Sequence, residues 1–407
     1  MHYDLIVIGM GLSGLMAAKT AAEAGGKLLI VGKGIGSLCL FSNTIDMLGQ
    51  LPNGIKMKEG LSSWIKEHPN HPYSKVGLER VEQALSSFLS LFPPPYSFQT
   101  VGNKNCHLPT GAGTLRPTFL IPMTMVAGAS FADENTVIVG FKGFKDFYAH
   151  YVAGQLKCRG VSLQLVDGSH QELSATALAR LMESESFRVD IGRQIKKQLR
   201  GETHVGFPAI LGMHHPIQVK DDLEEITGAK IFEIPTLPPS IPGKRTFDRF
   251  KQWLVQRGVT FLLGNSVSNA ILKGRRCEGI EVLHPPVTNS YSADRYILAT
   301  GRFISGGLKA NEDKIFEPIF NLPLFQPESR EGWFRNSFFS DLPHPIYRAG
   351  ILTDSSFRPV DEQGDQVLEN VWVAGTISAH HQAIAEKSKE GIEISTGYMA
   401  AKRALEK

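Results

Sequence analysis

The alternation of apolar runs with glycine-rich breaks divides the chain before any single residue does. Tyr3-Asp4-Leu5-Ile6-Val7-Ile8 is a nearly continuous apolar run of strand length, the pattern of a parallel strand buried on both faces. It enters Gly9-Met10-Gly11-Leu12-Ser13-Gly14, and Leu15-Met16-Ala17-Ala18 opens a helix that runs to about Ala24 and ends at Gly25-Gly26. Residues 27–31 form the second strand. Far downstream, residues 296–298 form a strand ending in Ala299-Thr300-Gly301, and residues 370–373 another ending in Ala374-Gly375. An amphipathic helix from about Gly391 to Leu405 follows. Strands at dispersed positions, each ending in glycine, predict one sheet with its ligand edge at the carboxyl ends.

Between these segments lies a long stretch with its own periodicity. Residues 136–140, 160–166 and 205–211 read as strands and 145–156 as a helix, while Pro93-Pro94-Pro95 and Leu237-Pro238-Pro239-Ser240-Ile241-Pro242 mark loops. Phe247, Phe250, Trp253 and Leu254 make one apolar face of a helix over 245–257, a core stripe. The expected architecture is α/β: a discontinuous Rossmann-like nucleotide-binding domain of the FAD/NAD(P)-binding type (1–60 and 255–407) carrying an inserted mixed α/β domain (61–254).

The 407 residues exceed one typical core. The formal net charge of +3 is spread without a basic block, so nucleic acid is not expected. No run of about 18 apolar residues predicts a membrane-spanning helix. An N-terminus that reads as strand, not as a signal peptide, predicts a cytoplasmic protein. The four cysteines form no C-x-x-C pair, so neither zinc nor an iron–sulfur cluster is expected in this chain. No metal-ligand pattern and no nucleophile–base spacing stands out.

The G-x-G-x-x-G turn has a physical reading. Gly9 permits the tight turn, Gly11 lets a phosphate approach the backbone, and Gly14 lets the helix pack onto the strand. The free amides of Leu12 and Ser13 at the helix start favour an anion. The second strand ends Val31-Gly32-Lys33-Gly34, without the carboxylate that grips an adenosine ribose. That counts against tight NAD binding and weakens the case for the adenosine half of FAD. Lys33 either attracts a phosphate or is a solvated strand end.

Several segments together resemble the B-subunit family of anaerobic glycerol-3-phosphate dehydrogenase. Phe41-Ser42-Asn43-Thr44-Ile45-Asp46-Met47-Leu48 resembles its F-S-S-G-S-L-D-L-L stretch, and His71-Pro72-Tyr73-Ser74 its H-P-Y-S. Gly113-Thr114-Leu115-Arg116-Pro117-Thr118 is similar to G-T-L-R-x-T, and Pro235-Thr236-Leu237-Pro238-Pro239-Ser240 to P-T-L-P-P-S. Ile304-Ser305-Gly306-Gly307-Leu308 resembles F-S-G-G-L, and Thr353-Asp354 with Arg358-Pro359 resembles T-D-x-x-x-R-P. The likeness is collinear over nearly the whole chain.

This resemblance implies a flavin-bearing redox subunit, with FMN the usual cofactor and FAD the alternative. It implies a complex that oxidises sn-glycerol 3-phosphate to dihydroxyacetone phosphate and passes electrons to quinone. Its expected partners are an FAD-containing catalytic subunit and an iron–sulfur subunit that anchors the pair at the cytoplasmic face of the membrane. One departure stands out. Where the family has G-G-x-D-x-I-x-x-x-C-G-x-G, this chain has residues 379–391 ending in Ser388-Lys389-Glu390-Gly391, with serine in place of the cysteine and Gly391 the one pattern glycine kept. In related flavoproteins that helix start faces the flavin pyrimidine; here Lys389 brings positive charge and Glu390 opposes it. This departure motivates a second reading, a structural or assembly subunit that has lost tight flavin binding. A freestanding NADP-linked reductase using Lys33 lacks a second phosphate loop.

The expected cofactor residues are thus Gly9, Gly11, Leu12, Ser13, Gly14, Gly32, Lys33, Ser42, Asn43, Thr44, Gly301, Arg302, Gly375 and Gly391. Ser42, Asn43 and Thr44 either line the flavin or make a polar turn, and Arg302 either meets a cofactor phosphate or caps its strand. No catalytic residue is identified, but Arg116, His380 and His381 are candidates. Arg116 is either an anion ligand or an arginine paired at a domain seam. The two histidines either approach the flavin ring or are exposed on a loop.

Overall fold

In the computed structural model, which describes residues 2–165, 173–340 and 342–406, the chain forms two main sheets. The larger has the strand order Thr260–Leu263, Leu28–Gly32, His2–Ile8, Val287–Leu298, Arg276–His284, Ser266–Lys273, with Val371–Val373 also paired to Val287–Leu298. Pairings among the first four strands, and that of Val371–Val373, are parallel; Arg276–His284 pairs antiparallel with both its neighbours. The strand expected at 296–298 is therefore the end of a longer one. Its first half belongs to an antiparallel meander, and its second half lies between the N-terminal strand and Val371–Val373.

The three glycine-ended strands are neighbours in register, with Ile8 opposite Leu298 and Leu298 opposite Val373. Their carboxyl ends form one edge. The first helix, Leu12–Ala24, and the C-terminal helix, Lys389–Leu405, cover the same face. The helices Met57–Glu67 and Leu78–Leu89 add Leu61, Val81, Ala84 and Phe88 to that core, beside Leu5, Met16 and Phe250. Phe247, Phe250 and Leu254 are buried as the apolar stripe requires, while Trp253 is half-buried under the Lys19 and Arg257 side chains. Their helix, Ile241–Val255, starts four residues before the sequence pattern suggests. The Ser240 hydroxyl accepts from the Gly243 amide at 2.9 Å, and Pro242 suits the first turn.

A second core surrounds a four-stranded sheet in the order Lys230–Ile234, His204–Pro208, Thr136–Phe141, Arg159–Leu163, parallel throughout. The strand expected over 160–166 covers Arg159–Leu163, and Val166 lies outside the described residues. The helix expected over 145–156 is Ala149–Leu156. Cys106–Pro109 and Leu115–Thr118 make an antiparallel hairpin beside these sheets. The two cores are joined by a buried pair: Arg245 donates through both terminal nitrogens to the Glu233 carboxylate, each at 2.9 Å. Among the described residues no helix is long and apolar enough to cross a membrane.

Candidate functional site

The glycine turn is a tight weld between strands. Gly9 has φ 115°, which disfavours any side chain, and a Cβ there would lie 2.2 Å from the Ala299 carbonyl oxygen. A Cβ on Gly14 would lie 2.0 Å from the Gly9 carbonyl oxygen, so only glycine lets the helix sit this close. Gly375, at φ 83°, meets the Ser13 side chain, and its amide donates to the Thr396 hydroxyl at 2.8 Å. A Cβ on Gly36 would lie 2.9 Å from the Gly11 Cα, and one on Gly301 2.4 Å from the Ser305 hydroxyl and 3.8 Å from that of Thr376. Gly9, Gly11, Ser13, Gly14, Gly301 and Gly375 are thus brought together. Gly11 differs from the rest: a Cβ there meets nothing within 4 Å. Gly11 precedes a helix with no side-chain cap and no acidic residue in its first turn, so the helix start beside this open space suits an anion.

The C-terminal helix leads away from this cradle. Gly397 sits against the Ser13 carbonyl oxygen. One turn toward its start, Glu393 accepts from the Ser37 hydroxyl at 3.4 Å. A further turn brings Lys389, which pairs with Glu390 and Glu393, each at 3.2 Å. Burial pulls the Lys389 ammonium down, but Glu393 and Glu390 hold it above its ordinary range. Burial pushes the Glu393 carboxyl up, with Lys389 opposing and Glu390 adding. One Glu390 oxygen, Oε2, is buried without a hydrogen-bond partner. The Gly391 amide donates to the Asp46 carbonyl at 3.1 Å, and a Cβ on Gly391 would lie 2.1 Å from the Tyr73 hydroxyl.

Asp46, fully buried, pairs with Arg116 of the hairpin. Its carboxyl is pushed up to about 6, by burial first and Glu390 second, against the pull of Arg116. Arg116 is therefore an arginine paired at a seam, and its guanidinium also lines a small cavity with Ser42, Thr44, Thr110 and Thr118. Ser42 and Thr44 hydrogen-bond each other at 2.9 Å. Asn43, at φ 68°, turns away: it bonds Tyr96 and Thr246 and is buried. Gly32 abuts Met10, and Lys33 is exposed.

Arg302 is turned from the glycine cradle. Its guanidinium donates to the carbonyls of Tyr347 and Ser378 and to His381 Nε2, the last two at 2.9 and 3.1 Å. Arginine has only donors, so the His381 ring is neutral with its proton on Nδ1. Burial, then Arg302 and His71, hold its pKa well below the usual histidine value. His381 is buried, not exposed, and its ring lies 6.2 Å from that of His71. His380 is half-buried against Phe325 at 4.5 Å, and burial with Lys75 and Arg348 nearby lowers it to about 4. His71 accepts the Tyr73 amide on Nδ1 and so donates from Nε2 to Glu386 at 3.2 Å, while Ser388 donates to the same Glu386 oxygen at 2.8 Å. The position where the family has cysteine thus serves a buried hydrogen bond.

Residue-by-residue reading of the sequence does not single out Asp46, His71, Glu386 or Glu393. The F-S-N-T-I-D and H-P-Y-S segments hold two of them, but only the fold reveals their partners.

These features test the flavin nucleotide that the resemblance implies. The phosphate end fits: open space over Gly11, uncapped amides and glycines where a side chain would intrude. The strand end at Gly32-Lys33 offers no carboxylate to a ribose. The far end of the helix is a buried charge cluster, Lys389 with Glu390 and Glu393, in which one carboxylate oxygen has no partner.

The FAD binding domain family matches residues 4–389. The chain is 31% identical to the B-subunit of the probable anaerobic glycerol-3-phosphate dehydrogenase of Halobacterium salinarum, over 99% of this chain and 98% of that one. It is 30% identical to the B-subunit of the anaerobic glycerol-3-phosphate dehydrogenase of Vibrio cholerae serotype O1, over 100% and 97%. The crystal structure of 3-ketosteroid delta1-dehydrogenase from Sterolibacterium denitrificans superimposes with a TM-score of 0.48, at 12% identity over 99% of both chains. With its glycine-ended strands on one edge and full-length relatives of one description, the chain belongs to the FAD binding domain family and, within it, to the B-subunit family of anaerobic glycerol-3-phosphate dehydrogenase.

Proposed function

We propose that this chain is the flavin-carrying redox subunit of a glycerol-3-phosphate dehydrogenase complex. In that complex sn-glycerol 3-phosphate is oxidised to dihydroxyacetone phosphate and electrons pass through an iron–sulfur subunit to quinone at the membrane. The observation that carries this reading is the open space over Gly11 at an uncapped helix start, ringed by glycines from three separate segments. FMN is the preferred ligand, because Gly32-Lys33 ends the second strand without a carboxylate; FAD is the alternative. The nucleotide-binding domain spans 1–60 and 255–407 and the inserted one 61–254. A partner FAD subunit is the expected site of substrate oxidation.

When bound, the flavin supplies two-electron chemistry at its ring. The chain's own residues do the rest. The amides of Leu12 and Ser13 hold the phosphate. Ser42, Thr44 and Arg116 line a small separate cavity. Asp46 fixes the Arg116 guanidinium. The Arg302–His381 and His71–Glu386 contacts lock the loops after Gly301 and Gly375.

A second reading, an assembly subunit without tight flavin, is favoured by the Lys389–Glu390–Glu393 cluster at the start of the C-terminal helix. The visible spectrum of the purified full chain separates the two. A yellow protein releasing one flavin on denaturation supports the first. A protein that stays colourless with added FMN and FAD, yet still associates with its partner, overturns it.

A further inference from the structure

The sheet edge that carries the glycine cradle continues into an exposed apolar surface. Arg302, one residue after Gly301, donates to the Tyr347 carbonyl. The His380 amide, five residues after Gly375, donates to the Arg348 carbonyl at 3.3 Å. From these two ties a run of rings spreads outward. Phe325 lies 4.5 Å from the His380 ring. The buried His344 ring lies 5.8 Å from Tyr347, 5.4 Å from Phe334 and 6.1 Å from Phe338. Phe338 and Phe339 meet edge to face at 5.0 Å.

The base of this surface is pinned. Trp333 is buried, and its carbonyl accepts the Ile346 amide at 3.1 Å. His344 Nδ1 accepts the Arg335 amide at 3.0 Å, so its Nε2 donates to the Phe338 carbonyl at 3.1 Å. Arg335 Nε closes the loop on the Pro343 carbonyl at 3.2 Å. Yet Phe334 is 54% exposed, Phe338 76% and Phe339 90%. With Phe325, Leu342 and Tyr347, these side chains leave roughly 700 Å² in water, taking about 200 Å² for each whole side chain. The largest apolar patch on a typical monomer is about 300–600 Å². One face of a standard protein–protein interface is about 800 Å².

Charge narrows the choice of what covers it. Residues 330–348 hold three arginines, Arg330, Arg335 and Arg348, against Glu331 and Asp341. All three arginines are exposed. The charges acting on His380 are Lys75 and Arg348, both cations. A second copy would set this rim against itself. A segment held at an anionic bilayer carries a cluster of about four to eight cations, which three arginines do not make. Aromatic rings with arginine at their border are instead the composition of a protein–protein interface.

Resting on the reading of this chain as one subunit of a redox complex, we infer that the surface of Phe325, Phe334, Phe338, Phe339, Leu342 and Tyr347 docks another subunit of that complex. The face it fits is apolar at its centre and carries carboxylates opposite Arg335 and Arg348. Docking here sets that subunit against the loops that follow Gly301 and Gly375.

The test is binding of the full chain to the FAD subunit and the iron–sulfur subunit, prepared together, with flavin content and thermal unfolding recorded for each chain. Phe338→Ser with Phe339→Ser removes the two most exposed of the six side chains. It is expected to weaken binding about tenfold or more, with flavin content and melting temperature kept. Arg348→Glu is expected to weaken binding as well. Tyr148→Ser with Tyr151→Ser, which removes two exposed rings at the start of the helix Ala149–Leu156, is expected to leave it unchanged. Unchanged binding in either of the first two variants overturns the inference, as does an unaltered chain that binds neither subunit. If the double phenylalanine variant unfolds early, Arg348→Glu decides. Ultracentrifugation of the chain alone and sedimentation with vesicles of phosphatidylcholine and phosphatidylglycerol probe the other occupants. A dimer, or vesicle binding, that is lost with Phe338 and Phe339 overturns the inference in favour of a second copy or a bilayer. A colourless chain that still docks through these rings supports this surface and overturns the flavin reading. A yellow chain that docks without them does the reverse.

Discussion

A Cβ placed on Gly375 would lie 2.4 Å from the Ser13 hydroxyl oxygen and 2.8 Å from the Ser13 Cβ. Two residues 362 positions apart in the chain are thus in contact at the glycine cradle, at the ends of non-adjacent strands of one sheet. The contact exists because Gly375 takes φ 83°, which turns the chain directly after Val371–Val373.

Gly375→Ala therefore meets both a positive φ and a clash with a buried side chain. The expected loss is about 2 kcal/mol or more, measured as the shift of the urea midpoint. Flavin bound per chain should fall with it, because the first-turn amides move with Ser13.

Gly11 and Gly9 should part company. Gly9→Ala drives a Cβ into the Ala299 carbonyl and should fail to give stable protein. Gly11 has φ −72°, which alanine adopts readily, and open space around it. Gly11→Ala should keep its melting temperature while losing flavin, since the methyl occupies the place of the phosphate. Thermal unfolding and the visible spectrum of the same preparation check this; a Gly11→Ala chain with full flavin content would overturn the assigned phosphate site.

The buried histidines set a pH dependence. His380 is lowered to about 4 and His381 also lies below its ordinary 6.5, so below pH 6.5 the unfolded chain binds more protons. Their stabilising contribution is complete above about 6.5 and is lost as pH falls toward 4. Asp46 acts in the opposite sense: its folded value of about 6 lies above 3.8, so its contribution is present at low pH and lost as pH rises through 6. The two histidines lower the urea midpoint between pH 7 and pH 5, and the raised carboxyls of Asp46 and Glu393 oppose them. His380→Asn should make the fall shallower, and Asp46→Asn should make it steeper.

The Arg245–Glu233 pair should be costly to break. Both side chains are buried, and Arg245 also donates to the Gly212 carbonyl at 2.8 Å. Arg245→Met leaves a buried carboxylate uncompensated, an expected loss of about 3–5 kcal/mol. Arg245→Met with Glu233→Gln should recover part of it. Chemical denaturation of the two variants measures the difference.

Legibility from the sequence differs by element. The first strand, turn and helix lie in one contiguous segment, and steric rules local to that segment specify them: the observed boundaries, His2–Ile8 and Leu12–Ala24, follow the apolar run and the paired glycines. The strand ending at Leu298 is legible only near its end. Its first half pairs with Arg276–His284 in an exposed ribbon, where alternation is broken by polar residues on both faces. Three strands of the second parallel sheet are readable individually, but their order is not, because pairing between distant strands leaves no local signature.

The nucleotide-binding turn, the lack of an acidic residue after the second strand and the altered segment at Ser388-Lys389-Glu390 are written in adjacent positions, and need no knowledge of what packs against them. Other properties arise only on folding: Arg116 is held by Asp46, Arg302 is engaged by the carbonyls of Tyr347, Ser378 and His381 and by the His381 ring, His381 is buried, and Glu390 and Glu393 share Lys389 beside Asp46. Burial and charge pairing depend on which distant segments meet, and these groups acquire their chemistry from partners as many as 356 positions away, as Ser37 does with Glu393.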